Sequence, residues 1–569
     1  MKFSQKNAKY RIALAASVLA GITVLAGCGS DEAEPAASAK PGQSAAATAG
    51  ATPAPRGKIT STIYERGGVA PEEGTKTENR WTRWINENGP TDVTFVAVPR
   101  WESAQKLNTL FASGSAPDVI MEYDMAIKNQ LYNQKLLMPL DDAIEKYSTT
   151  YKDILKKYPI LEKLSRKDDG KIYEIGRVEN IVPQHNVYIR TDWLAKLNLS
   201  MPKTVDEFFQ VAQAFAEKDP DGNGKKDTYG VSLSFVGGMA VDDIFGIVFN
   251  SIDKNPWVLN DKGELVFGWD RIQSALEFKK KLYEAGIVDK DYLTDGKGDK
   301  AKQDFVNGKL GIYGANGSEI ETFKTLKKNN PAATIAALPL PAGPYGTFSP
   351  LLSTPVNLTT VVNAKAKDPE AIIKYVDFMM SEKATKTFVY GIEGEHYKIG
   401  VSGCPEVIDA EKNKIEKSYN TDFTMINNAI TDKCSSVNIV LNPVKPAVET
   451  PETLAAYELS KEFAQVYQSA FDAYQDPAKP MIGVISSGSL PALPQDLQIN
   501  QTNGYKTVND ILAKGAITPS YSAAQAIKDA KAAWETSNGA KVDAWYKEWF
   551  AANKDKILLT KDYYDFLKK

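Results

Sequence analysis

The sequence has 569 residues, 43% hydrophobic and 24% charged, with a formal net charge of −3. This is ordinary globular composition, long enough for two or more hydrophobic cores. A mildly acidic chain without blocks of Lys and Arg lacks the clustered positive charge that phosphate backbones require, so nucleic acid is excluded as a partner class.

The chain opens with Lys2, Lys6, Lys9 and Arg11 and no acid, followed by an apolar run from Ile12 to Val24. The run is too short to span a bilayer comfortably and suits the h-region of a secretion signal over residues 1–27. Leu25-Ala26-Gly27-Cys28 resembles a bacterial lipobox, which implies lipidation of Cys28 and a protein held at the outer face of the cell membrane. The other reading is a plain signal peptide with an incidental Cys28. Residues 28–57 are nearly all small, polar or Pro and cannot bury enough apolar surface to offset chain entropy, so they read as a disordered tether. Cys404 and Cys434 are the only other cysteines, and outside the cytoplasm such a pair is either a disulfide or two buried thiols.

After the tether, residues 58–66 and 93–101 alternate as strands, and 103–114 carries Leu107, Leu110 and Phe111 on one helical face with Gly114 as its stop. A third strand is expected over 115–124. Strand-helix-strand with short loops implies a parallel sheet covered by helices, whose ligands gather beyond the strand C-termini. Arg66, Arg100, Trp101, Tyr123 and Asp124 are therefore expected at one rim. A second α/β region runs from about 187 to 350. Within it, Thr204 and Glu207 form a capping box, and Phe208, Val211, Ala212 and Phe215 form one apolar stripe.

That helix runs into DPDGNGKKDTYG, residues 219–230. Asp219, Asp221, Asn223 and Asp227 occupy positions 1, 3, 5 and 9 of a calcium loop, with the Lys225 carbonyl at position 7 and Gly224 at the sharp turn of position 6. A sensor needs a second helix; here Tyr229, Val231, Leu233 and Phe235 alternate as a strand. Position 12 holds Gly230 where a bidentate Glu belongs, so any Ca²⁺ is bound weakly and acts as a structural clip. The alternative is a metal-free turn. Helices are expected near 270–285, from Pro369 onward over 367–381, and through most of the chain after that.

Several stretches resemble the extracellular solute-binding proteins of carbohydrate ABC transporters, particularly the large lipoproteins of Gram-positive bacteria. These are LNTLFASGSAPDVI (107–120), residues 188–230, FVNGKLGIYGANG (305–317), AKDPEAIIKYVDFMMS (366–381) and YGIEGEHYK (390–398). The resemblance implies an α/β, two-lobed periplasmic-binding-protein-like fold of type II, with parallel-sheet lobes, crossing hinge strands and a helical C-terminal region. It places the N-terminal lobe at 58–185 with 353–395 and the C-terminal lobe at 186–352 with 396–569. Crossings are expected near 183–188, 351–357 and 391–400. It further implies an oligosaccharide held in the cleft, permease subunits as partners and a monomer. Candidate cleft residues are then the five rim residues, Tyr188 and Arg190 past the first crossing, Trp257, Tyr313, Asn316 and Tyr345 of the second lobe, and Glu393 and His396 near a hinge. Each aromatic could equally be core. Two other classes remain: a surface-anchored carbohydrate-active enzyme, which needs paired carboxylates, and an oligopeptide-binding lipoprotein. No GxSxG, HExxH, Walker A or CxxC motif occurs, and the chain is expected not to be an enzyme.

Overall fold

The computed structural model describes residues 56–569 apart from 67, 184, 250–253, 351, 431, 477–492, 555, 556, 558, 560, 561 and 563–569. The signal segment, Cys28 and residues 29–55 of the expected tether lie outside the described residues; the end of that stretch is ordered, with Arg56 paired to Asp92 at 2.9 Å and Gly57 opening the first strand. Among the described residues, no helix is long and apolar enough to cross a membrane.

Two sheets organise the chain. Their strands are β1 (Gly57–Glu65), β2 (Thr91–Pro99), β3 (Val119–Met121), β4 (Glu174–Val178), β5 (His185–Arg190), β6 (Tyr229–Val231), β7 (Leu310–Asn316), β8 (Ile335–Ala337) and β9 (Val356–Val362). The first sheet has the order β2-β1-β3-β9-β4 and the second β8-β5-β7-β6. In the first, β1 runs parallel to β2 and β3, and β9 runs antiparallel to both β3 and β4. The C-termini of β1, β2, β3 and β4 therefore share one rim. In the second, β5 is antiparallel to β7 and β8, and β7 is parallel to β6. Because His185 faces Asn316, the start of β5 and the end of β7 share an edge.

The helices used below are α1 (Arg80–Asn88), α2 (Ser103–Ala112), α3 (Val205–Glu217), α4 (Val236–Ile244), α5 (Trp269–Glu284), α6 (Asp299–Val306), α7 (Ile320–Asn329), α8 (Pro369–Met379), α9 (Pro451–Tyr474), α10 (Gln495–Ile517), α11 (Ala523–Thr536) and α12 (Gly539–Asn553). Local chemistry sets their starts. Asn79 accepts from the backbone N–H of Trp81 and Thr82 to cap α1, Thr204 and Glu207 cap each other's backbone at α3, and Pro369 opens α8. Each sheet is wrapped by its own helices and has its own core. The first core joins Ile59, Ile63, Val93, Phe95, Trp81, Tyr375 and Phe388; the second joins Val187, Ile189, Phe215, Val231, Ile312 and the faces of α10 to α12.

The lobes meet at three crossings. Ser353 staples the first two: its N–H donates to Val182 O (2.7 Å), its hydroxyl donates to Asn180 O (2.8 Å), and it accepts from Val182 N (2.9 Å). The third crossing differs from expectation. Residues 391–426 stay on the first lobe, where Tyr419, Phe423, Met425 and Ile426 enter its core, while Val437, Val440 and Leu441 pack on the second lobe. The chain thus passes over between 426 and 437, and the segment after 396 does not begin the second lobe. Burying Phe423, edge-on to Phe95 at 5.5 Å, supplies about 1.5–3 kcal/mol for holding this segment in place. Asn180 Nδ2 ties the third crossing to the first through Ile430 O (3.1 Å). A disulfide joins Cys404 and Cys434, with Cα atoms 5.3 Å apart, and closes this wrapped segment. The strand expected over 228–235 is also shorter: β6 stops at Val231, and Phe235 turns the chain into α4.

Candidate functional site

The rim of the first sheet is built from the residues that follow β1, β2 and β3. Tyr64 and Tyr123 stack with ring centroids 6.0 Å apart and planes 23° from parallel. The Arg100 guanidinium lies 4.7 Å from the Tyr64 ring, 5.4 Å from Tyr123 and 5.3 Å from Trp101. Arg66 lies 5.5 Å from both tyrosine rings. Guanidinium planes over aromatic faces hold both in place by cation–π attraction, which leaves donor edges available. Trp101 stands 86% exposed at the end of β2, and Asp124 is exposed beside Tyr123. An exposed indole next to a guanidinium offers an apolar face and hydrogen-bond donors together.

Buried carboxylates anchor this rim from below, and no local sequence pattern marks them. Glu122 is fully buried at the end of β3; it accepts from the Tyr64 hydroxyl and from Asp124 N (2.8 Å), and Arg100 lies 3.8 Å away. Burial, then the Glu122 charge, pushes the Tyr64 hydroxyl well above its ordinary pKa, so it stays a donor. Asp422 comes from the wrapped segment and is also buried. It pairs with Arg66 Nε at 2.6 Å and Lys76 Nζ at 3.3 Å. Some 350 residues separate these partners in the chain, so no local pattern announces them. Arg177, near the end of β4, pairs with Glu179 at 2.6 Å and donates to Thr424 O.

On the second sheet the shared edge exposes Asn316. The other candidates there are corrected by burial. Tyr188 is core and its hydroxyl donates to Ser318 O (3.2 Å). Tyr313 stacks on Phe305 at 4.7 Å inside the lobe. Trp257 is buried against Tyr546 and donates to the Tyr505 hydroxyl (3.0 Å) under the C-terminal helices. Arg190 ends β5 on the side away from the crossings, locked to Asp192 by two bonds of 2.9 and 2.6 Å over the Trp193 ring. Tyr345 is half-buried on α5, where its hydroxyl donates to Asp270 O (2.8 Å). Glu393 is exposed in a turn beside Tyr397. His396 is wholly buried against Trp81 (5.5 Å), with Nε2 2.9 Å from Glu416. Ligand atoms of Glu395, His396 and Glu416 lie within 4.8 Å of one another, but Arg80 reaches both carboxylates at 2.8 and 2.6 Å and supplies the balancing charge. This cluster is an ion-pair network of the first lobe.

The calcium loop lies at the opposite edge of the second sheet, since it leads into the start of β6, which pairs with the start of β7. Asp219 accepts from the N–H groups of Gly222, Asn223 and Gly224 at 3.0–3.1 Å and so folds the loop around itself. The Asn223 amide lies between Asp221 (2.7 Å) and Asp227 (3.0 Å), converging the side chains on one point. The neighbouring Asp221 carboxyl, and then the backbone N–H groups of Gly224, Asn223 and Gly222, hold Asp219 below the usual carboxylate range, while burial and Asp219 push Asp221 up. Three carboxylates, the Asn223 side-chain oxygen and the Lys225 carbonyl form an all-oxygen donor set that fits Ca²⁺. The structure also explains Gly230. A Cβ there would lie 2.0 Å from Ala212 O, because β6 packs directly on α3, so position 12 has no room for Glu.

The family model of bacterial extracellular solute-binding proteins matches residues 72–386. The chain belongs to that family. Among solved structures, an extracellular solute-binding protein from Bifidobacterium longum subsp. infantis superposes with a TM-score of 0.64 at 18% identity, covering 87% of this chain and 98% of that one. The Streptococcus pneumoniae substrate-binding protein FusA in complex with kestose gives 0.59 at 18%, covering 88% and 99%. These likenesses establish the two-lobed periplasmic-binding-protein fold. By sequence, the chain is 28% identical to the lipoprotein LipO of Bacillus subtilis over 53% of this chain and 61% of LipO. It is 26% identical to the polygalacturonan/rhamnogalacturonan-binding protein YtcQ of B. subtilis over 65% of this chain and 73% of YtcQ. It is 32% identical to the fructooligosaccharide ABC transporter substrate-binding protein FusA over 38% of this chain and 44% of FusA.

Proposed function

We propose that this solute-binding protein captures an oligosaccharide between its lobes and delivers it, chemically unchanged, to the permease subunits of an ABC transporter. Lipidation of Cys28 would anchor it outside the cell membrane as a monomer, with the small and polar stretch between Cys28 and Arg56 as a tether. The observation that carries the reading is the rim of the first sheet, where the C-termini of β1 to β4 gather. Exposed Trp101 lies beside Arg100, whose guanidinium also covers Tyr123, and Arg66 and Asp124 belong to the same rim. A sugar presents apolar C–H faces and paired hydroxyls; an indole serves the first, guanidinium and carboxylate the second. Asn316 would add a donor and acceptor from the other lobe. The names of YtcQ and FusA, which bind oligo- and polysaccharides, support the ligand class. Calcium bound by Asp219, Asp221, Asn223, Asp227 and the Lys225 carbonyl would clip α3 to β6, remote from the cleft. Solved structures of similar fold, an EF-hand mutant of S. pneumoniae FusA with fructo-nystose and the alginate-binding protein AlgQ2 without calcium ion, support the metal.

Titration calorimetry with oligogalacturonides and fructo-oligosaccharides, followed by chromatography of the recovered sugar, tests the reading. Saturable binding with intact sugar is expected, and Trp101→Ala should weaken it about tenfold, equivalent to about 1.4 kcal/mol. Shortened sugar in the recovered fraction would point to an enzyme instead.

A further inference from the structure

The rim of the first sheet brings four cations together, and each already has a carboxylate. Arg66 and Arg100 follow β1 and β2, Arg177 lies near the end of β4, and Lys76 reaches the same place from the turn before α1. Asp422 lies 2.6 Å from Arg66 Nε and 3.3 Å from Lys76 Nζ. Glu179 lies 2.6 Å from Arg177 Nε, and Glu122 lies 3.8 Å from Arg100. Asp422 and Glu122 are 2% and 0% exposed, so neither carboxylate reaches water if its arginine is drawn away. Arg177 is held further by the carbonyls of Thr424 and Asn427. A guanidinium matched in this way keeps N–H edges that a hydroxyl can accept from, but its charge is already balanced within the protein.

Three more carboxylates stand at the same strand ends. Glu65 closes β1, Glu102 follows Trp101 and Asp124 follows Tyr123, and all three are exposed. Six carboxylates thus face four cations, two negative charges in excess. The edge of the second sheet near the first crossing does not reverse the sign: Asn316 brings an uncharged amide, and buried Asp243, 3.4 Å from His185, brings another carboxylate. An ionised uronate entering this rim would meet excess negative charge or take an arginine from a carboxylate left buried and unpaired, and both are costly. An uncharged sugar meets neither obstacle. Its hydroxyls accept from the remaining N–H groups and donate to exposed carboxylates, while its C–H face lies on Trp101.

We propose that the rim selects uncharged oligosaccharides and rejects uronates, because Asp422, Glu122 and Glu179 occupy its arginines and Glu65, Glu102 and Asp124 outnumber what cation remains. The proposal rests on the oligosaccharide reading above. It assigns specificity to repulsion as well as to attraction.

Calorimetry on sugars that differ in charge tests it. Oligogalacturonides are compared with their methyl-esterified forms and glucuronate-substituted xylo-oligosaccharides with unsubstituted ones, and fructo-oligosaccharides serve as a further neutral series. Wild type should bind a neutral series at least about tenfold more tightly than any acidic one. Glu179→Gln leaves Arg177 without its carboxylate and should narrow that ratio about tenfold. Glu102→Gln removes an exposed charge beside Trp101 and should narrow it by less; melting curves confirm that both variants fold. Wild type binding an acidic series as tightly as the neutral ones, or more tightly, overturns the charge selection while leaving the binding function intact. A neutral preference that both variants leave unchanged overturns its assignment to these carboxylates. Failure of wild type to bind any of these sugars overturns the parent reading and this one with it.

Discussion

At the scale of single residues, the first lobe depends on charges taken out of water. Lys128 and Glu174 are both fully buried and lie 2.7 Å apart, with Lys167 also on Glu174. Burial alone would raise the Glu174 pKa, but the two lysines outweigh it and hold the carboxyl at about 2. Its folded pKa is thus below its unfolded one, so its contribution is complete above about 4.5 and is lost as pH falls toward 2. Glu174→Gln should cost about 3–5 kcal/mol in urea unfolding at pH 7, because Lys128 would remain buried without its partner. His396 has the same sign for a different reason. Its Nδ1 accepts from Ile392 N (3.1 Å), leaving the Nε2 hydrogen toward Glu416, and burial, reinforced by Arg80 and Lys412 and opposed by Glu395 and Glu416, favours the neutral ring. The unfolded chain protonates this histidine first as pH falls below about 6.5, so folding stability should decline between pH 7 and 5.5. Unfolding free energies measured across that range should flatten in His396→Gln; an unchanged slope would remove the argument.

At the scale of elements, the sequence was most legible where one segment decides its own form. The capped stripe of α3, the alternation of β1 and β2 and the Pro-led α8 lie where periodicity and capping put them. It was least legible where a neighbour intervenes. β6 ends at Val231 although alternation continues to Phe235, because α4 must turn onto β7. The calcium loop combines both cases: its donors are local, but the missing Glu at position 12 is explained only by the contact of Gly230 with α3. Calcium at about 1 mM should stabilise the protein by about 0.4–1.4 kcal/mol if the site binds with a Kd of about 10⁻⁴–10⁻³ M. A melting curve in EDTA should then fall below that in calcium for wild type and coincide with it for Asp221→Ala. Coincident curves for both proteins would remove the metal.

At the scale of the whole molecule, the two sheets, each with its own core, meet through three crossings tied to one another by Ser353 and Asn180. Such hinges let rigid lobes rotate with little repacking. Small-angle scattering should show a smaller radius of gyration when a bound oligosaccharide is present, and identical curves with and without saturating ligand would exclude closure. The sequence alone determined the α/β character, the helix that runs into the Asp-rich loop 219–227, and the placing of Arg66, Arg100, Trp101, Tyr123 and Asp124 just past strand ends, because each follows from a local pattern. Only tertiary structure decided that Tyr188, Trp257, Tyr313 and His396 are core, that residues 391–426 return to the first lobe, and that Glu122 and Asp422 fix the arginines. The reason is physical: aromatic and charged side chains have the same local pattern whether they face a cleft or a core, and only the elements packed against them, brought in from hundreds of residues away, determine which.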